Sequence, residues 1–66
     1  MEEAIVYVMV KRNGSMTTDQ IADAINRNGL HLRKDGQPVT SKQVYATICH
    51  FPEMFTKEAG RIMLMI

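Results

Sequence analysis

The chain has 66 residues, 45% of them hydrophobic, with eight Lys and Arg set against seven Asp and Glu. That length sets a single domain over residues 1–66, too small for a large catalytic cleft and near the lower limit at which one core is stable without staples. A net charge of +1 excludes a strongly basic or acidic protein, and a lone Cys49 excludes an internal disulfide.

A reduced, cytoplasmic setting is expected from the cysteine usage. The longest apolar run, Ala4 to Val10, is far short of the roughly 20 residues that span a bilayer, so no membrane partner is expected. Acidic Glu2 and Glu3 precede that run, which argues against a signal peptide. By pattern alone the run fits a buried strand as well as a helix. Its flanks decide for a helix: Glu2 and Glu3 suit the positive end of the dipole, Lys11 and Arg12 the negative end, and Asn13-Gly14 a left-handed terminus. A helix that is apolar nearly all round must be covered on more than one side.

One pattern then occurs twice, Met16-Thr17-x-x-Gln20-Ile21 and Val39-Thr40-x-x-Gln43-Val44. Each threonine is set to cap the N–H three residues on, each glutamine to reach back to the threonine N–H, and each apolar pair to staple across the cap. The second helix is predicted from Thr18 to Asn28, with Ile21, Ala24 and Ile25 inward and Gln20, Asp23, Asn26 and Arg27 outward. Gly29 is expected to end it in a left-handed conformation, with Leu30 closing a Schellman motif against Ile25. Arg33 to Pro38 reads as a turn around Gly36 and Pro38.

The third helix is predicted from Ser41 to about Phe51, stopped by Pro52, with Val44, Thr47, Ile48 and Phe51 inward. Its other face carries Lys42, Ala46 and Cys49, flanked by Gln43, Tyr45 and His50. Met54-Phe55-Thr56 and Arg61 to Ile66 read as two strands around a turn at Lys57 to Gly60, and Ser15-Met16 as a brief third strand. In the last strand Ile62, Leu64 and Ile66 face one side, Met63 and Met65 the other. Both sides are apolar, so the segment is expected to be a module of a longer protein, or half of a homodimer, with the neighbour covering the second face.

Helix, brief strand, helix, turn, helix and hairpin make an α+β winged helix-turn-helix. From Ile21 onward the wording is closer still: Asn28-Gly29-Leu30, Arg33 to Val39, Gln43-Val44-Tyr45-Ala46, Phe51 to Phe55 and Gly60-Arg61-Ile62. In these stretches the chain resembles winged-helix domains of the HARE-HTH type, which accompany bacterial restriction endonucleases, the delta subunit of bacterial RNA polymerase and some eukaryotic chromatin proteins. The resemblance implies a DNA-binding module in which the helix at Ser41 is the reading helix and the hairpin at Gly60 the wing.

On that basis Lys42, Arg33, Lys34, Lys57 and Arg61 are candidates for phosphate contact, and Ser41, Gln43, Tyr45 and His50 for contact with groove edges of duplex DNA. Lys42 stands in a first turn where the dipole disfavours a cation, by roughly 0.3–1 kcal/mol, and a phosphate would reverse that balance. Each of these charges also reads plainly as a solvated surface residue. The face assigned to base reading has neither Arg nor Asn, the strong bidentate readers. No cofactor or metal is implied. Nor is an enzyme: Asp19 and Asp23 lack further carboxylates, and Cys49 and His50, as helix neighbours, point about 100° apart. A second reading is a protein-interaction module using the apolar first helix and the Met63/Met65 face.

Overall fold

The computed structural model describes residues 1–12, 14–31 and 33–65. Among them three helices and one two-stranded antiparallel sheet form, in the order α1 (Glu2–Arg12), α2 (Thr18–Asn28), α3 (Ser41–His50), β1 (Phe55–Glu58) and β2 (Arg61–Leu64). This is the order of a winged helix-turn-helix, and the first apolar run is a helix. Asn13 and Ile66, expected at a helix end and on the inner strand face, lie outside the described residues.

Both capping boxes form with the same geometry. Thr17 Oγ1 accepts from the Gln20 N–H at 3.2 Å while Gln20 Oε1 accepts from the Thr17 N–H at 3.1 Å. Thr40 and Gln43 repeat the pair at the same two distances. The staple residues Met16, Ile21, Val39 and Val44 are all buried, so each helix start is tied both by hydrogen bonds and by apolar contact. At the other end of α2, Gly29 adopts φ 60°, Leu30 N–H donates to the Ile25 carbonyl at 3.1 Å and Gly29 N–H to that of Asn26 at 3.4 Å. That is the Schellman pairing, and Leu30 packs against the core.

The core draws on every element. Ile5 and Met9 of α1, Ile21 and Ile25 of α2, Val44 of α3 and Ile62 of β2 are fully enclosed, with Phe55 of β1 beside them. In α2 the inner face differs from expectation: Ala22 is buried and Ala24 only partly so. The face is turned toward Ala22 because α2 must meet both α1 and α3. Helix α3 ends at His50, with Phe51 as the capping residue, so it is slightly shorter than expected. Among the described residues no polar or charged residue is buried.

The wing also differs in detail. Lys57 and Glu58, expected in the turn, belong to β1, and the ladder runs from Phe55↔Leu64 to Glu58↔Arg61. Only Ala59 and Gly60 connect the strands, with φ of 53° and 79°. Two consecutive positive φ values match the right-handed twist of a hairpin, and Ala59 accepts backbone strain to supply one of them. Met16 forms an isolated bridge with Ile62, N–H to carbonyl at 3.0 and 2.7 Å. The brief third strand is therefore a single bridge, and it ties the wing to the start of α2.

Asn26 makes the tie that the outward assignment of this residue missed. Its side-chain amide donates to the Val39 carbonyl at 2.9 Å, and its carbonyl oxygen accepts from the Val39 N–H at 2.8 Å. One side chain on α2 thus satisfies both backbone groups of the residue that staples α3. Asn26→Ala should lower the unfolding free energy by about 1–2 kcal/mol, since it orphans two backbone groups of a buried residue. Asn28→Ala, which loses only an exposed bond to the Ala24 carbonyl, should stay within about 0.5 kcal/mol of the parent. Urea denaturation of the two variants checks the difference.

Candidate nucleic-acid interface

The capping box at Thr40 fixes where α3 begins, and the stripe of Val44, Thr47, Ile48 and Phe51 fixes which side it buries. What remains outward is Lys42, Tyr45, Ala46, Cys49 and His50, all exposed. Ser41 and Gln43 flank that face and are partly covered. Gln43 is already in use, since its Oε1 accepts the Thr40 N–H, which leaves its side-chain NH₂ as the group available to a ligand. The first turn of α3 holds no acidic residue, whereas that of α2 holds Asp19. Positive potential from the helix end and from Lys42 therefore adds without local cancellation.

The wing meets this face at one point. The Lys57 ammonium stands over the Tyr45 ring, 4.7 Å from its centroid. Tyr45 is 44% exposed, so the ring is at once a seat for the wing cation and an open aromatic surface. Such a contact contributes about 0.5–1 kcal/mol when exposed. It brings a β1 cation and the middle of α3 together, a proximity that neither segment announces by itself.

The loop before α3 supplies a second edge. His31, Arg33, Lys34 and Asp35 line a shallow depression with Gln43, so the loop lies against the first turn of α3. Arg33 is committed within the loop: its guanidinium holds the Asp35 carboxylate at 2.7 Å and donates to the Pro38 carbonyl at 3.3 Å. Asp35 in turn accepts from the Gln37 N–H. Lys34 is exposed and, among the described residues, makes no ion pair. His31 joins this edge although its sequence context, a lone imidazole after the Schellman turn, carried no signal for it.

Arg61 does not join the α3 face. Its Nε donates to Ser15 Oγ at 2.9 Å and its Nη2 to the Ser15 carbonyl at 3.2 Å. It works beside the Met16–Ile62 bridge to hold the wing against the segment before α2. The nine candidates thus divide. Lys42, Tyr45 and Lys57 form one continuous surface, with Arg33, Lys34, Ser41 and Gln43 along its leading edge and His50 at the far end of the helix. Arg61 lies apart.

Among the described residues no three His, Cys, Asp or Glu side chains gather in a way that could hold a metal ion, and no helix is long and apolar enough to cross a membrane. Compared with protein-family models, curated proteins and solved structures, the chain gives no significant match to any. The residues on this surface must therefore carry the functional reading.

A double-mutant cycle on Lys57→Met and Tyr45→Leu should return a coupling energy of about 0.5–1 kcal/mol in thermal or urea unfolding. Strict additivity of the two substitutions would mean that the wing is not tied to α3 through this pair.

Proposed function

We propose that this chain is a winged-helix module of the HARE-HTH type that binds duplex DNA through contacts led by phosphates. The observation that carries the reading is the Lys57 ammonium over Tyr45. It joins a wing cation to the exposed face of the helix that enters the major groove in helix-turn-helix proteins. Lys42 at the start of that helix and Lys34 at the loop tip extend the same positive edge.

The roles follow from what each side chain has left to offer. Lys34, Lys42 and Lys57 contact phosphates, because each residue is exposed and, among the described residues, none is held in an ion pair. Arg33 and Arg61 shape the loop and the wing, since their guanidinium groups are engaged by Asp35, Pro38 and Ser15. Gln43, Tyr45 and His50 border the groove, Tyr45 through its ring and Gln43 through its NH₂. Ala46 and Cys49, in the middle of the face, offer no bidentate reader, so discrimination among sequences is slight.

A net charge of +1 allows little surplus attraction, so affinity is weak, about 10⁻⁴–10⁻⁶ M at physiological salt. Three lysine–phosphate contacts give a slope of log K against log salt of about −3. Fluorescence anisotropy with a labelled mixed-sequence duplex tests this. Lys42→Ala should reduce the slope by about one unit and weaken all sequences alike, whereas Tyr45→Ala or Gln43→Ala should alter whatever preference exists. Salt-independent binding, or full retention of the slope in Lys42→Ala, would contradict the proposal.

A further inference from the structure

Helix α1 buries Ala4, Ile5, Val8 and Met9 and leaves the opposite stripe uncovered. Tyr7 is 51% and Val10 56% exposed. With Val6 and with Met54 from the segment after α3, they floor an open groove whose rim is Glu2 and Glu3 at one end and Lys11 at the other. The groove is almost wholly apolar between its charged ends. It shares no residue with the α3 and wing surface.

The order of charge along this stripe is what selects an occupant. Glu3, Val6, Tyr7, Val10 and Lys11 recur at the three- and four-residue spacing of one helix face. Tyr7 lies midway between Glu3 and Lys11, which are about 12 Å apart along the axis. A second α1 laid antiparallel on the first therefore sets Glu3 against the other copy's Lys11 at both ends, Tyr7 near the twofold axis and the valines between. The stripe is its own complement under a twofold rotation, as an isologous interface requires. A parallel arrangement would instead oppose Glu3 to Glu3 and Lys11 to Lys11.

We infer that the α1 groove is the interface of a homodimer, formed by antiparallel packing of α1 on α1 with Glu3–Lys11 pairs across both ends. In the single chain the Lys11 ammonium stands 5.6 Å from the centroid of its own Tyr7 ring, close to where the partner's Glu3 arrives. One helix face with Met54 is well below the roughly 800 Å² per partner of a standard interface, which places the dimer among weak, transient contacts.

Sedimentation equilibrium on the whole chain, taken to about 1 mM, tests the proposal with charge exchange. The parent should show a monomer–dimer equilibrium. Glu3→Lys alone and Lys11→Glu alone should each weaken it by at least about 10-fold, because two exposed pairs turn repulsive. The double variant Glu3→Lys/Lys11→Glu should restore association to within about 3-fold of the parent, and loss in both single variants followed by this recovery is the pattern of the antiparallel arrangement, since a parallel one would be indifferent to all three. Both positions are exposed on a helix surface, and far-ultraviolet circular dichroism confirms that each variant is folded. A strictly monomeric parent would overturn the inference. So would a dimer indifferent to the single exchanges, or a double variant as weak as either single one. None of these results bears on DNA binding by α3.

Discussion

The double hydrogen bond from the Asn26 amide to the backbone of Val39 sets the relation between the two middle helices. Val39 is the staple residue of α3 and is itself buried, so a single side chain on α2 anchors the residue just before the Thr40 cap, and the staple into Val44 carries that anchor into the helix. A buried residue with both backbone groups outside any helix or strand needs partners for each. Asn offers one donor side and one acceptor side on the same planar group, which matches that need, whereas Asp would present acceptors alone. The direction of Lys42 and Tyr45 is therefore a consequence of a bond made on α2.

The wing depends on a parallel arrangement at the other edge of the domain. Met16 and Ile62 exchange backbone hydrogen bonds, Arg61 clasps Ser15, and Phe55 and Ile62 enter the core. An isolated two-stranded hairpin has little stability of its own. Here it is held from beneath by apolar burial and from the side by the bridge, and so it can present Lys57 to Tyr45 at a fixed distance. Ala59 sits at positive φ to close the connection in two residues, so the tight turn and the ladder from Phe55 to Glu58 hold one register.

Much of the fold was legible in the sequence because its determinants are local. The capping boxes at Thr17 and Thr40, the Gly29 terminus and the order of elements need only near neighbours. On α2 Ile21 and Ile25 are buried as expected and Ala24 packs against the core, but Ala22 was missed, because periodicity gives the width of an apolar stripe but not the direction from which two other helices arrive. The wing turn was placed too early since Lys57 and Glu58 resemble turn residues by composition, while ladder pairing draws them into β1. For the candidate surface, the residue types on α3 could be read directly. The commitments of Arg33, Arg61 and Asn26 could not, because each depends on a partner brought near by the tertiary fold.

That division shapes the functional claim, which rests on exposed lysines that make no ion pair among the described residues and on an aromatic ring that the wing touches without covering. The most direct test is a two-dimensional NMR titration of the chain with a mixed-sequence DNA duplex at low ionic strength. Amide shifts concentrated in residues 41–50, 57–61 and 33–35 are the predicted result. Shifts confined to α1, or none at all, would contradict the assignment of α3 and the wing as the DNA-binding face.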